Sequence, residues 1–269
     1  MTLPLAGLMT SCLSEEHEFG LPNQGEGQGT LTLNLSADAT FNNTTRALNE
    51  NDYKITNNYN VQIINATNNN SILECKASEL GSHLPLPLSI GSYKIMASYG
   101  KQHDASRSEF QMVGQTTVTL KAKEEKDVAV SCTPTCGKIS VAFDAEMAVY
   151  YEDFNVTFGG TQALGAKTIS WAKTDSEPWY VALSENGETI NYTINLKARN
   201  EYLHQDDSGN TSTDGTVTGT FQLQRNKAQK LTIKPNYTPT TEGGLKLTIT
   251  IDESTNDHEI TYDVPVTWI

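Results

Sequence analysis

Short runs of alternating apolar and polar residues are the feature that most constrains what this chain can fold into. Segment 30–36 alternates Leu with Thr, Asn and Ser, and 138–144 and 245–252 show the same two-residue period. Side chains on a β-strand point to opposite faces in turn, so this period predicts strands with one buried face. Helical periodicity is not sustained, and only 73–80 and 145–153 are predicted to form a turn or two of helix.

Many further short strands are predicted along the chain. Eight more runs are bounded by turn residues, at 59–64, 93–99, 116–120, 128–132, 154–158, 189–196, 217–223 and 230–233. Short strands separated by turns at this spacing are typical of β-sandwiches. The fold class is therefore predicted to be all-β.

The sequence also repeats itself. Segment 29–36 corresponds to 137–144 and again to 244–251, at a nearly constant offset. The hairpin 120–130 matches 223–233 in the same order. Self-similarity of this kind indicates one structural unit used more than once.

The repeat predicts the domain organisation. We expect two tandem antiparallel β-sandwich domains of immunoglobulin or prealbumin type, at 29–136 and 137–269, behind a non-globular segment 1–28. The last 26 residues, 244–269, are too short for a third domain and are expected to complete the second sheet.

Composition and charge exclude some partners. Of the 269 residues 37% are hydrophobic, which is enough for a normal core. The 19 Lys and Arg against 32 Asp and Glu give a net charge of −13. This charge repels phosphate backbones, so nucleic acid is not an expected partner. No stretch approaches the roughly 20 apolar residues of a membrane-spanning helix, so any membrane contact is expected to come from an anchor.

The amino terminus has the features of a lipoprotein signal. Apolar residues 1–9 lead into the small residues Thr10 and Ser11, directly before Cys12. Signal peptidases need small residues near the scissile bond, and the Cys12 thiol is predicted to carry the lipid. Residues 1–11 contain no Lys or Arg, whereas secretory signals begin with a positive segment. We therefore expect the true start to lie upstream.

The segments behind Cys12 indicate where the anchored protein faces. Segment 13–18, with three Glu, resembles the acidic tract of Bacteroidetes lipoproteins that are exported to the cell surface. Segment 22–29 is a Gly-rich spacer of the kind that forms flexible tethers. The resemblance implies an outer-membrane protein that faces the cell exterior, although acidic termini are also common as plain solvated segments.

Two further segments resemble a known family. In 85–99 a Gly-Ser turn leads into an alternating strand, and 132–141 runs from Cys-Thr-Pro-Thr-Cys into another. With the acidic tract, they make nearly the whole chain similar to uncharacterised, fimbrillin-like surface lipoproteins of Bacteroidetes, which have prealbumin-like sandwiches. The resemblance implies location and architecture rather than a defined activity.

Three cysteines remain after lipidation of Cys12. Cys132 and Cys136 could close a small loop, either could pair with Cys75, or the thiols could stay structural and unpaired. The sequence does not choose between these alternatives.

Motifs for catalysis or metal binding are not found. The sequence has no Gly-x-Ser-x-Gly, no His-Glu-x-x-His and no dinucleotide fingerprint, and its five His are scattered. We therefore predict no catalytic residue, metal or cofactor, and no enzyme activity. Segment 206–215 places Asp206, Ser208 and Asn210 like the first ligands of a calcium loop but lacks the closing Glu. A hairpin loop is the favoured interpretation.

Aromatic residues cluster within 170–180. Trp171, Trp179 and Tyr180 stand near Asp and Glu in this segment, and such rings can stack on sugars. These three are the candidate glycan-binding residues. Core or sheet-edge packing is the alternative interpretation of the same side chains.

The fimbrillin resemblance also implies a processing site. Pilins of that kind lose their first strand by cleavage after an Arg and accept a neighbour's strand in its place. Arg46 follows the first predicted strand and is the candidate site, which would permit self-assembly by strand exchange. An Arg in an exposed loop is also unremarkable.

These features predict a non-enzymatic cell-surface lipoprotein that acts in adhesion or as a fimbria-like structural component. The alternative is a glycan-binding lipoprotein that serves polysaccharide capture. The expected partners are the outer-membrane lipid and either a glycan or a surface protein.

Overall fold

The computed structural model describes residues 27–39, 41, 48–199, 214–236, 246–252 and 257–263. These ranges contain seventeen strands and two single-turn α-helices. The strands are β1 (Gln28–Ala37), β2 (Asn60–Asn65), β3 (Ser71–Lys76), β4 (Leu86–Ser89), β5 (Gly91–Gly100), β6 (Ala105–Ser106), β7 (Gln111–Leu120), β8 (Glu125–Pro134), β9 (Cys136–Phe143), β10 (Tyr151–Gly159), β11 (Ile169–Ala172), β12 (Trp179–Ala182), β13 (Glu188–Ala198), β14 (Asp214–Leu223), β15 (Ala228–Asn236), β16 (Lys246–Asp252) and β17 (Asp257–Asp263). The helices are α1 (Leu80–His83) and α2 (Met147–Tyr150).

The strands follow the alternation in the sequence. In β13, Ile190, Tyr192 and Ile194 are buried, while Asn191 is exposed and Thr193 is half-buried between them. One face of the strand thus packs on the core and the other meets solvent. The predicted all-β fold class is confirmed.

The described strands form three sheets. Sheet I has the order β3-β2-β5-β7-β8-β1-β4, sheet II the order β11-β10-β13-β14, and sheet III the order β17-β16-β15-β9-β12-β6. Within sheet I, β7 and β8 pair only at Met112 with Pro134 and Val113 with Thr133. Sheet I therefore has two parts, β3-β2-β5-β7 and β8-β1-β4, joined at this corner.

The same strand order recurs in the two halves of the chain. The row β3-β2-β5-β7 corresponds to β11-β10-β13-β14, and β1 lies between β8 and β4 as β9 lies between β15 and β12. Residues that the sequence repeat aligns also share a register, since Leu33 pairs with Val128 and Val141 with Leu231. Beyond β15, the strands β16 and β17 extend sheet III.

Two strand pairs depart from the antiparallel pattern. β1 pairs with β8, and β9 with β15, in parallel. A tight hairpin requires its two strands to run antiparallel. No hairpin joins these partners, because several other strands lie between them in the sequence. Alternation of side chains carries no information about strand direction, so the sequence did not predict this pairing.

Two clusters of buried side chains form the core. One is built around Leu31 and Ile95 in the first half of the chain, and the other around Val156 in the second. Tyr180 and Ala228, from the second half, belong to the first cluster. The two halves therefore share buried contacts.

Helix is limited to single turns next to strands. Of the predicted helical segment 73–80, residues 73–76 lie in β3, and a 3-10 helix at Ala77–Glu79 precedes α1. Of 145–153, α2 takes four residues before β10 begins. Two further 3-10 helices lie at Glu50–Lys54 and Thr56–Asn58. Among the described residues, no helix has the length and apolarity that a membrane span requires.

Candidate functional site at the junction of the two halves

The three candidate aromatic residues lie together, where the two halves of the chain meet. Trp171 is on β11, and Trp179 and Tyr180 begin β12. Trp171 is 1% exposed and Tyr180 is 2% exposed, so their ring faces contact protein rather than solvent. Trp179 is half-buried. Of these three rings, Trp179 is the one that a ligand could reach. Glycan binding through these aromatics stays a prediction.

Arg107 binds the segment that carries these aromatics. It follows β6 in the first half, and its guanidinium lies 4.4 Å from the centre of the Trp179 ring and 5.1 Å from that of Trp171. Its Nη1 donates to the Glu177 carbonyl at 2.6 Å, and its Nη2 contacts Asp175 Oδ2 at 2.6 Å. A planar, permanently charged donor suits this combination of stacking and hydrogen bonds.

The segment 170–180 is also held by its own polar groups. Nη2 of Arg107 and Nε1 of Trp179 each donate to the Ser170 carbonyl, both at 3.0 Å. Asp175 Oδ2 accepts the Ala172 amide at 2.9 Å as well as Arg107. Arg107 thus binds two backbone carbonyls and one carboxylate of the second half.

A two-residue strand completes this contact. β6 adds to the edge of sheet III by pairing Ser106 with Tyr180 and Ala105 with Val181. The Ala182 amide also donates to the Asp104 carbonyl at 3.0 Å. Main-chain hydrogen bonds from the first half therefore continue a sheet of the second.

A buried polar group lies on the other side of Tyr180. Lys138, on β9, is 1% exposed, and its Nζ lies 2.7 Å from Glu50 Oε1. The Tyr180 hydroxyl donates to the same oxygen at 2.8 Å. Burial raises the pKa of Tyr180 well above its ordinary value, and the Glu50 carboxylate raises it further. The hydroxyl therefore stays protonated and remains a donor to Glu50.

Aromatic rings from the first half surround this polar group. Tyr53 stacks on Phe110 with centroids 3.9 Å apart, and Phe110 lies 4.9 Å from Tyr180. Phe41 contacts both Phe110 and Tyr180, at 5.4 Å and 5.5 Å. The Lys138 ammonium lies 5.7 Å from the Phe41 ring. We call Glu50, Arg107, Lys138, Asp175 and Tyr180, with the rings around them, the junction.

All three described cysteines are free thiols. Cys132 and Cys136 are buried and Cys75 is half-buried. Burial raises the pKa of Cys132 to about 11, and it raises the pKa of Cys136 and Cys75 as well. Thiols kept protonated in this way are poor nucleophiles and poor metal ligands.

Several predicted features lie outside the described residues. These are Cys12, the acidic tract 13–18, most of the Gly-rich spacer, Arg46, and the segment 206–215 up to the start of β14, with Asp206, Ser208 and Asn210. Within the part of the chain that the structure does describe, no group of three or more His, Cys, Asp and Glu is placed to hold a metal ion.

A family model decides the classification of the chain. The model, described as a domain of unknown function (DUF4493), matches residues 27–266. This chain belongs to the DUF4493 family. No curated protein matches it.

Several solved structures are similar to this DUF4493 chain. A fimbrial assembly protein from Parabacteroides distasonis is 11% identical, with 87% of this chain and 98% of that chain covered and a TM-score of 0.41. A proposed cell adhesion protein from Bacteroides eggerthii is 12% identical, with 86% and 98% covered and a TM-score of 0.42. The fimbrial anchor protein Mfa2 from Porphyromonas gingivalis is 10% identical, with 84% and 98% covered and a TM-score of 0.36. The predicted resemblance to fimbrillin-like Bacteroidetes proteins agrees with these names.

Sequence reasoning missed the charged residues of the DUF4493 junction. Lys138 belongs to the polar set of an alternating strand, which predicts that it faces solvent. In the structure β9 is buried on both faces over Cys136–Val141, and the Lys138 ammonium binds Glu50. Arg107 precedes the aromatics by more than sixty residues, and no local pattern connects them. The role of Arg107 can be recognised only in the folded structure, where the two halves are in contact.

Proposed function

We propose that this protein is a non-enzymatic, lipid-anchored protein of the cell surface that acts in adhesion or as a fimbria-like structural component. The observation that carries the proposal is the junction. An adhesive or structural protein has to keep its parts together when its anchor and its ligand are pulled apart. Contacts between domains are by default weak and permit motion, whereas the junction adds a buried ion pair and a multiply bonded arginine.

The domain division is part of the same proposal. We propose a tether at 1–28, a first sandwich at 29–136 and a second at 137–269. The repeated strand order and the two clusters of buried side chains support this division. Tyr180 and Ala228 would then be residues of the second domain that pack in the core of the first.

Surface location and anchoring can be tested on intact cells. We expect protease or antibody to reach the protein without disruption of the outer membrane, and Cys12→Ala to release it into the soluble fraction. Deletion of the protein is expected to lower attachment of the cells or the yield of assembled fibres. Protection from protease until the outer membrane is opened, or unchanged attachment and assembly after deletion, would contradict the proposal.

We also propose Arg46 as a processing site for strand exchange. Cleavage there would release β1, whose Leu31 and Leu33 are buried in the first core and whose backbone pairs with β8 and β4. The groove left behind would accept a strand from a neighbour by main-chain pairing. Mass spectrometry of the protein from its native cells tests this, because an intact lipidated amino terminus excludes cleavage.

The second candidate function is glycan capture. The observation that favours it is the uncharged outer face of sheet II, rather than the buried rings of Trp171 and Tyr180.

A further inference from the structure

The middle of the outer face of sheet II is built from uncharged side chains. Strands β10 and β13 bury one set of alternating residues and turn the other set outward, and β11 and β14 continue the same face. The middle of the outer face consists of Asn155, Thr157, Ser170, Ala172, Thr189, Asn191, Thr193, Asn195, Thr216, Thr218, Thr220 and Gln222. Toward one end the same face continues into the charged residues Asp153 and Lys197, which stand opposite each other. Each of these residues is exposed or half-buried.

These side chains stand in rows across the sheet. Asn155 pairs with Asn195, which pairs with Thr216. Neighbouring strands lie about 4.8 Å apart, and residues two apart on one strand are about 6.7 Å apart. Asn195 Nδ2 donates to Asn155 Oδ1 at 2.8 Å. This bond uses one donor and one acceptor, so the two amides keep further capacity for a ligand.

The charges next to this face pair with each other. Lys173 Nζ lies 3.3 Å from Asp153 Oδ1, and Lys197 pairs with Glu152, at one end of the sheet. At the other end Lys167 pairs with Asp104 at 3.1 Å. The face between the two ends is therefore neutral in a protein of net charge −13.

A shallow groove lies at each end of the rows. One has a volume of about 330 Å³, and its lining includes Asn155, Asn195 and Thr216 together with the charged Asp153 and Lys197. The second, about 300 Å³, is lined by Thr157, Thr193 and Asn191 among others. These volumes are at the lower end of those that bind small ligands. Each groove is lined in part by hydroxyl and amide groups of the outer face.

The first half contains the same face with different chemistry. By pairing register, Lys94, Met96 and Ser98 of β5 take the places of Asn191, Thr193 and Asn195. Val113 takes the place of Thr216, and Glu74 that of Ser170. Since two copies of one fold differ in this way, the neutral hydroxyl and amide face is a property of the second half and not of the architecture.

We infer that the outer face of sheet II binds a neutral polysaccharide. Rows of hydroxyl and amide groups can donate to and accept from sugar hydroxyls along an extended chain, and a polyanion would be repelled by the net charge. A protein partner fits less well, because protein interfaces are anchored by aromatic side chains, Met and Arg, and this face has none among its residues. The inference deepens the glycan-capture candidate and rests on the proposed surface location for access to such a ligand.

The test uses the purified full-length protein and an array of neutral glucans, mannans and xylans with polygalacturonate as the anionic probe. We expect binding to at least one neutral polysaccharide. Thr193 and Thr218 pair directly across β13 and β14, and Thr193→Glu with Thr218→Glu is expected to weaken binding at least tenfold. Two long, hydrated carboxylates keep a flat sugar chain from approaching.

The first half supplies a matched control. Met96→Glu with Gln115→Glu places the same charges at the equivalent pair of sheet I, which has the same register and similar exposure. We expect this variant to bind as the wild type does, and Thr193→Ser to retain binding because the hydroxyl is kept. Thermal unfolding verifies that each variant is folded.

Four results would overturn the inference. The first is that the wild type binds no neutral polysaccharide, and the second is that it prefers polygalacturonate. The third is that the Glu pair on sheet I weakens binding as much as the Glu pair on sheet II. The fourth is that Trp179→Ala abolishes binding while the Glu pair on sheet II does not. Each leaves the surface-location test unaffected, since a protein can be displayed on cells without binding a polysaccharide.

Discussion

At the scale of single residues, the most constrained group is the lysine buried at the junction. Lys138 is 1% exposed and Glu50 is 18% exposed, with Nζ and Oε1 2.7 Å apart. Moving two charges out of water costs several kcal/mol per ion, and their attraction offsets this cost only while both are present. The Tyr180 hydroxyl and the ring of Phe41 add further favourable contacts.

We predict that Lys138→Met lowers the free energy of unfolding by about 3 kcal/mol, because Glu50 is then left without its cation. Lys138→Met with Glu50→Gln is expected to cost less than Lys138→Met alone, since no charge is left unpaired. Urea unfolding of the wild type, both single variants and the double variant gives the coupling energy. Lys167→Met removes an exposed pair with Asp104 and should change stability by less than about 1 kcal/mol. Equal effects of Lys138→Met and Lys167→Met would contradict a special role for the buried pair.

A second residue-scale prediction concerns alkaline pH. In the folded protein burial raises the pKa of Cys132 from 9.0 to about 11, so between these values the unfolded chain loses a proton that the folded chain keeps. The stability that this thiol contributes is present in full below pH 9 and is lost as pH rises through about 11. The free energy of unfolding should fall above pH 9, by at most about 1.4 kcal/mol per pH unit for one group.

Cys132→Ala is expected to make this decline shallower between pH 9 and 10. Cys136 and the buried tyrosines, whose pKa values are also raised by burial, contribute to the decline in the wild type and the variant alike, so the difference between the two slopes reports Cys132. Denaturant unfolding at a series of pH values measures it. Cys75→Ala, at a half-buried site, is the comparison and should alter the slope less. An unchanged slope in Cys132→Ala would show that the thiol does not titrate differently on folding.

At the scale of elements, the alternation of apolar and polar residues was enough to predict the long strands but not the short ones. The predicted runs at 93–99 and 189–196 correspond to β5 and β13, which extend one or two residues further at each end. β6 has two residues and β12 has four, too few for a period to be recognised, and they become strands because each finds a partner edge. The junction depends on these two elements. Sequence reasoning therefore found Trp171, Trp179 and Tyr180 as a cluster and could not find what packs on them.

Substitution of Arg107 tests whether its contacts stabilise the conformation of segment 170–180. We predict that Arg107→Ala lowers stability by about 2 kcal/mol, the scale of losing hydrogen bonds to a charged group. We expect the backbone amides of 170–180 to exchange hydrogen faster in this variant, by a larger factor than amides elsewhere in the protein. The fluorescence of Trp179 should shift to the red because its ring becomes more exposed to water.

Arg107→Lys is the matched control, because it keeps the charge next to Asp175 but cannot form the fork to Glu177 and Ser170. We expect an intermediate result for stability and for exchange in 170–180. Wild-type exchange rates in Arg107→Ala would mean that the segment holds its own conformation without the first half.

At the scale of the whole molecule, the two halves repeat one design but do not pack separately. Tyr180 and Ala228 lie in the first core, β6 extends a sheet of the second half, and Arg107 and Glu50 bind across the boundary. Unfolding either half removes partners from buried groups of the other. Domains coupled in this way are expected to unfold together, although repeated units with weak interfaces unfold in steps.

We therefore predict a single calorimetric transition for the full chain, with a van't Hoff enthalpy close to the calorimetric one. Glu50→Gln with Arg107→Ala removes the charged contacts on both sides of Tyr180 while leaving each core its own residues. This variant should unfold in two transitions, or in one whose van't Hoff enthalpy falls well below the calorimetric value. Lys167→Met, which also breaks a contact between the halves but an exposed one, should keep the single transition. If the wild type already unfolds in two steps, the junction does not couple the halves, and the proposal of two domains held together against a pulling force loses its support.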